Sequence, residues 1–487
     1  GLTPRSVNPW LVLCLVCLAQ FMVILDATIV NVALPSIQSD LKMAEADLQW
    51  VVNSYTLIFG GFLLLGGRAG DLIGRKRVFL AGVVLFTAAS FLNGIADSST
   101  FLILARGLQG LGAALVAPAA LSILTTTFAE GRDRTKALGV WAAIATGGAA
   151  VGLLLGGILV EYLSWPWIFF VNVPVGIATF VASLKYVPES RADAEHRTFD
   201  FPGAVTVTAG LIALVYGIVN VQKAGWTSGT TILWGAAALV LLTAFVVIEQ
   251  RQRAPLVRLG IFTVKTVRAA NVTMLLVASG LFAMFFFNTL YVQRVLDFSP
   301  LQAGLAFLPV TAGIGIGAGL SQPGVKRLGI RTTSIIGMTM ATVGMLLLLT
   351  TDASGTYLSD VLPGLIPISI GMGLTFVPVT LLATSGVEHE DAGLASGLFN
   401  TAQQVGGALG LAILSTLAVN RTDNALGGLP GQPTAVQQRE ALVTGFHAAF
   451  FGGALFFVAG IIVMLVLLKR EDVEQVDVDR PITEIAA

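Results

Sequence analysis

Charge is the property this sequence has least of. Only 11% of its 487 residues are Asp, Glu, Lys or Arg, against about 25% in an ordinary soluble domain, so a water-facing surface of this size cannot be assembled from it. Twenty-eight basic residues balance twenty-eight acidic ones, and a net charge of zero supplies neither a basic field for nucleic acid nor an acidic one for cations. The three histidines, His196, His389 and His447, lie far from one another and from the cysteines, which argues against a zinc site or any other metal site. The two cysteines, Cys14 and Cys17, stand in an apolar run, where a C-x-x-C pair reads as small apolar side chains rather than a redox motif. H-E-x-x-H, G-x-S-x-G and G-x-x-x-x-G-K-[ST] are all missing. Their absence argues against a zinc peptidase, an α/β hydrolase and an ATP-driven pump, and no cofactor is expected.

What the sequence has in abundance is apolar length: 55% of residues are hydrophobic and mean hydropathy is +0.83. Fourteen stretches of about 17 to 25 residues are long enough to cross ~30 Å of hydrocarbon. They lie near 10–34, 47–66, 78–97, 100–122, 136–160, 166–187, 202–221, 230–248, 269–292, 302–321, 332–351, 360–385, 392–418 and 446–468. The first is expected to be a span rather than a cleaved leader, because it is long and contains Asp26. With both termini placed in the cytoplasm, 22 of the 28 cations fall inside. Only Lys42, Lys223, Arg294, Arg421 and Arg439 fall outside, and Arg106 lies within a span. This asymmetry follows the positive-inside rule.

The expected fold is therefore an all-α polytopic membrane protein of fourteen transmembrane helices, set in a cell membrane whose compact loops suit a bacterial inner membrane. Cytoplasmic linkers are expected at 188–201 and 249–268, and an acidic, disordered tail at 471–487. The longest expected outer loop, 419–445, is rich in Gly, Pro and Gln. It carries a glycosylation sequon at Asn420, but the same pattern at Asn271 lies inside a span, so the match has little weight.

Two charges remain inside the spans, Asp26 and Arg106. Each costs at least ~2.5 to 3.5 kcal/mol at the bilayer centre and persists only with a partner or a task. Counting along their helices puts both in the outer half at nearly one depth, which permits an ion pair. A dry site favours a neutral carboxyl and a nearby guanidinium favours a charged one, so the pair could take up and release a proton. A second constellation is Gly67-Arg68-Ala69-Gly70-Asp71-Leu72-Ile73-Gly74-Arg75-Lys76-Arg77, between the second and third spans. Its glycines allow a tight turn, while Asp71 closes one helix as Arg75 and Lys76 open the next, a pattern suited to a charge lock at the cytoplasmic face. Gly148, Gly152 and Gly156, at four-residue spacing, leave one helix face bare for close approach by another helix.

These motifs together resemble the major facilitator superfamily, and in particular its fourteen-helix drug:proton antiporter branch. Gly67, Asp71, Gly74, Arg75 and Lys76 match the family's cytoplasmic loop. Leu25 to Pro35 resembles the first-helix signature of that branch, Arg106 to Gly112 the fourth-helix motif associated with proton coupling, and Gly148, Gly152, Gly156 and Gly157 the fifth-helix antiporter motif. The resemblance implies a major facilitator fold in a 6+2+6 arrangement, with a six-helix bundle at 1–187, two further helices at 202–248 and a second six-helix bundle at 269–470, alternating access around a midplane cavity, and export of small amphiphilic compounds, drugs or toxic metabolites, against proton influx. The partners it implies are protons, cargo and membrane lipid, without ATP or nucleic acid. The chain departs from the pattern at Leu153, where relatives have Pro, at Pro166, where they have Arg, and near Lys326-Arg327-Leu328-Gly329, which lacks an acid.

With Asp26 as the only acid placed deep in a span, a neutral or singly charged lipophilic cargo fits better than a multivalent cation. Expected cavity residues are Asn31, Trp50, Asn53, Tyr55, Gln109, Phe282, Phe286, Asn288, Asn400 and Gln404. The phenylalanines of the ninth span (Phe282, Phe285, Phe286, Phe287) also suit a lipid or lipid-like metabolite as cargo.

Overall fold

The computed structural model describes residues 8–128, 132–190, 200–253, 255–387 and 392–473. Among them the regular structure is helical, as hydrocarbon requires, because a helix satisfies its backbone groups within one segment. Fourteen long helices carry the architecture: α1 (Pro9–Leu41), α2 (Trp50–Ile73), α3 (Arg75–Gly94), α4 (Ser99–Thr127), α5 (Arg132–Tyr162), α6 (Asn172–Tyr186) and α7 (Phe201–Ala224), then α8 (Gly229–Arg251), α9 (Lys265–Arg294), α10 (Leu308–Leu328), α11 (Ile330–Leu347), α12 (Leu362–Thr384), α13 (Ala392–Gly427) and α14 (Ala435–Leu467). Thirteen spans among the described residues are long and apolar enough to cross a membrane; in α5 the apolar part is the shorter Gly147–Tyr162.

Local chemistry sets the helix ends. Asn8 caps α1 by accepting from the Trp10 N–H at 3.0 Å, with Pro9 following where no N–H is needed. Gly74, at φ +124°, makes the break between α2 and α3, a conformation that excludes most side chains. Thr434 and Gln437 form a reciprocal capping box that starts α14.

Three expectations need correction. The outer segment 419–445 is largely helical, since α13 runs to Gly427 and α14 begins at Ala435, leaving 428–434 as the connection. Helix α8 runs to Arg251, so Glu249 is a buried helical residue rather than part of a linker. Arg470–Val473 forms a helical turn, where the Lys469 N–H and the Lys265 ammonium hold the Asp472 carboxyl below the usual carboxylate range. The rest of the acidic tail, 474–487, lies outside the described residues, as does most of the first linker.

In the first half, α2 and α3 pack on α4, and α1 packs on α5; in the second, α11 and α10 pack on α12, and α9 packs on α13 and α14. The halves meet along α2 and α13, between α1 and α9, and where the short helix Pro300–Ala306 sits on α5. Helix α7 lies across the α2–α13 seam, with Leu211, Val215 and Val219 in one apolar cluster with Trp50 and Leu57 of α2 and Ala408 and Ala412 of α13. Helix α8 packs on α7 and is 6% buried over its most apolar window, so its remaining surface is left to lipid.

Candidate functional site

Asp26 and Arg106 meet. Arg106 Nη1 lies 2.5 Å from Asp26 Oδ2, with Asp26 fully buried and Arg106 1% exposed. Isolated charges could not remain at such a site, and the surrounding amides complete the pairing. Gln109 Nε2 donates to Asp26 Oδ1 at 2.9 Å, while its Oε1 accepts from Arg106 Nη1 at 2.7 Å and from Asn93 Nδ2 at 2.6 Å. Asn172 Nδ2 reaches Asp26 Oδ1 at 3.3 Å and Ser90 Oγ at 3.1 Å. Arg106 Nε donates to the Val51 carbonyl of α2, and its guanidinium stacks over Tyr55 at 4.4 Å. Four helices of the first half, α1, α3, α4 and α6, thus supply one buried polar network, held on its α2 side by Val51 and Tyr55. Gln109, expected on the cavity wall, belongs to this network instead. Asn93, Asn172 and Ser90 were missing from the sequence expectation, because a buried amide or hydroxyl leaves no periodic mark among apolar neighbours.

Beside the network, between the halves, lies a cavity of about 1150 Å³. Arg106 and Tyr55 form part of its wall; Asp26 stands behind them. Asn31, Tyr55, Phe282, Phe286, Asn400 and Gln404 line the cavity as expected, joined by Gln20, Phe59, Trp141, Phe285, Phe376 and Gln403. Trp50, Asn53 and Asn288 do not line it. Trp50 packs against Tyr216 of α7, Asn53 donates across the seam to the Ala408 carbonyl at 3.3 Å, and Asn288 donates to the Met284 carbonyl of its own helix.

The cavity reaches the end of the bundle that carries the basic loops, where Gly67, Asp71 and the exposed Arg68 and Arg258 line it. There Arg75 Nη2 lies 3.1 Å from Asp71 Oδ1, joining α3 to α2 across Gly74. Lys76 donates from Nζ to the Leu184 carbonyl and from its backbone N–H to Glu189. The loop is thereby fastened to the end of α6, a connection through Glu189 that sequence did not suggest.

The opposite end is closed by bonds between the halves. Gln293 of α9 donates to the Val32 carbonyl of α1 at 2.8 Å. Arg294 pairs with Glu45 at 2.8 Å, and the Leu301 N–H donates to Glu161 of α5 at 3.0 Å. The glycine row lies in this same framework. Gly148, Gly152 and Gly156 face Phe21 to Ile29 of α1, the turns that carry Asp26. A Cβ at Gly156 would sit 2.8 Å from Ile29 Cγ1 and 3.1 Å from the Ile29 carbonyl oxygen. Gly157 faces the other way, toward Pro300 and Leu301 of the second half.

Comparison with known proteins places this geometry. Residues 16–411 match the Major Facilitator Superfamily. The chain is 38% identical to the puromycin resistance protein of Streptomyces alboniger over 96% of its own length and 91% of that protein. It is 40% identical to a cephamycin export protein of Amycolatopsis lactamdurans, over 94% and 92% respectively. Among solved structures, a nucleoside transporter superimposes with a TM-score of 0.67 at 13% identity, covering 95% of this chain and all of that one; this likeness bears on fold alone. The chain belongs to the Major Facilitator Superfamily and is a multi-pass membrane transporter, similar to antibiotic export and resistance proteins of Streptomyces and Amycolatopsis.

Proposed function

We propose that this chain exports small amphiphilic or lipophilic compounds by proton antiport, with Asp26 as the proton-binding group and Arg106 as its counter-ion. The observation that carries this reading is the position of Arg106, which holds buried Asp26 on one side and forms cavity wall on the other. Cargo that engages Arg106 or Tyr55 would alter the hold on Asp26; a proton on Asp26 would release Arg106. On this reading the arrangement described corresponds to the inward-facing state, since the cavity reaches the basic end and bonds between the halves close the other. The intact ion pair suits the step after proton release to the cytoplasm. Return of the two six-helix bundles to the outward-facing state would then follow cargo binding.

The cargo reading rests on the wall. Amides at Gln20, Asn31, Asn400, Gln403 and Gln404 alternate with aromatic rings, while the acids that line the cavity, Asp71 and Asp200, stand at its inner mouth. Such a wall suits a neutral or singly charged amphiphile. In proteoliposomes with an imposed pH gradient, cargo should accumulate against its own gradient, and a protonophore or Asp26→Asn should abolish that accumulation. Export untouched by either would reject proton coupling.

A second reading, movement of a lipid-like metabolite, is favoured by Phe282, Phe285, Phe286 and Phe376 on the second half's side of the cavity. Lipid retained through purification and displaced by no drug would select it.

A further inference from the structure

A second pair of buried acids lies outside the Asp26 network. Asp200, the N-cap of α7, is 3% exposed, and Glu249, near the cytoplasmic end of α8, is 4% exposed. Asp200 Oδ1 accepts from the Gly203 N–H at 2.9 Å, and its Oδ2 accepts from the Leu256 N–H at 3.2 Å. Glu249 Oε2 accepts from the Val257 N–H at 2.8 Å. The remaining Glu249 oxygen, Oε1, is buried without a donor. It faces Asp200 across the space left by Gly203, where an added Cβ would lie 2.5 Å from both Glu249 Oε1 and Asp200 Oδ2.

Two ionised carboxylates in contact and away from water repel, and neither can donate to the other. One proton removes both difficulties, turning the repulsion into a carboxyl-to-carboxylate hydrogen bond and giving Oε1 its missing interaction. Of the charged groups close to the pair, Arg251 and Arg253, next along the chain from Glu249, are exposed, and Arg68, Asp71 and Arg258 line the cavity mouth with Asp200.

We propose that Asp200 and Glu249 share one proton, a binding site separate from Asp26 that clasps the segment after α8 against the inner mouth of the cavity. The clasp gathers the start of α7, the end of α8 and residues 256–257, and Asp200, Pro255 and Leu256 all line the cavity. Val257 and Ile261 carry the segment onward into a small apolar cluster with Val267 of α9 and Ala395 and Leu398 of α13. Loss of the proton to cytoplasmic water leaves two carboxylates on one cage of N–H donors and loosens the segment. The cavity mouth is then held by cytoplasmic pH, independently of the charge state of Asp26.

The test uses the full chain in lipid nanodiscs, with Cys14 and Cys17 replaced by Ala and a single Leu256→Cys probe. Maleimide labelling, corrected for thiol ionisation, should rise with pH by about tenfold per unit until the proton is lost, as one titrating site requires. Glu249→Gln supplies a permanent donor in place of the proton and should flatten that curve, whereas Asp26→Asn should leave it intact, so this proposal and the coupling role of Asp26 fail separately. Infrared spectra of the same chain without the probe provide a second readout: a carboxyl band present at neutral pH should disappear in Glu249→Gln and survive Asp26→Asn. A labelling curve unchanged by Glu249→Gln, the absence of a carboxyl band assignable to it, or loss of the band on adding sodium at fixed pH would each overturn the shared proton.

Discussion

At the scale of single residues, the Asp26 network separates side chains that share a chemistry but not a task. Gln109 and Gln404 are both helix amides, yet Gln109 joins Asp26, Arg106 and Asn93 inside the first half while Gln404 lines the cavity. Gln109→Ala would leave Asn93 Nδ2 without its acceptor and take one donor from Asp26. The expected cost is about 1 to 3 kcal/mol, visible as a lower unfolding temperature, together with a displaced pH profile of export. Gln404→Ala and Asn400→Ala should weaken cargo binding several-fold, about 0.5 to 1.5 kcal/mol per lost hydrogen bond, with little change in unfolding. Asn288→Ala should leave affinity unchanged, since that amide bonds within its own helix; equal effects on cargo binding from Asn288 and Gln404 would remove the distinction. Asp26 and Arg106 were legible in the sequence because a charge within an apolar span is expensive enough to demand explanation. The amides were not. An Asn or Gln in a span has no sign by which to locate its partner, so cavity, network and helix-internal roles look alike until the helices are packed.

At the scale of elements, α1 and α5 come together because α5 presents hydrogen atoms where other helices present side chains. The four-residue glycine spacing was readable from sequence; its target, the turns of α1 on either side of Asp26, was not. Gly156→Val inserts atoms where Ile29 already stands and should separate the helices at a cost of about 1 to 3 kcal/mol. Because the displaced helix carries Asp26, uphill export should fall more than cargo binding, as flux and equilibrium binding on the same preparation would reveal. Full affinity loss with coupling intact would show that the seam merely shapes the cavity. The second linker illustrates the opposite limit. A hydropathy window ends at a charge, so Glu249 is assigned to the water-facing linker, while the helix continues one turn further and buries it. Likewise the polar run after Leu417 reads as loop, although nothing in it forbids a helix before Gly427.

At the scale of the whole molecule, the closed outer end depends on few bonds, as the alternating access proposed above requires. Arg294 and Glu45 are 20% and 32% exposed, and a partly exposed pair contributes about 0.2 to 1 kcal/mol. That is enough to shift the balance of two states a few-fold. Arg294→Glu should therefore raise the outward-open fraction modestly, and the exchanged pair Glu45→Arg with Arg294→Glu should restore it, read as external labelling of a cysteine placed at Asn31. A double exchange that behaves like the single change would remove the pair from the latch. Fourteen spans were legible by counting and their 6+2+6 order was read from the family resemblance, but neither says where the additional two settle. Helix α7 occupies the α2–α13 seam, and its apolar residues join both halves there. The seam between α2 and α13 is thus walled off from a lipid-dissolved molecule that would slip sideways into the cavity. A cargo that first partitions into the bilayer therefore gains nothing by collecting along that flank. Neighbours crowded against α8 should accordingly leave its capture rate unchanged.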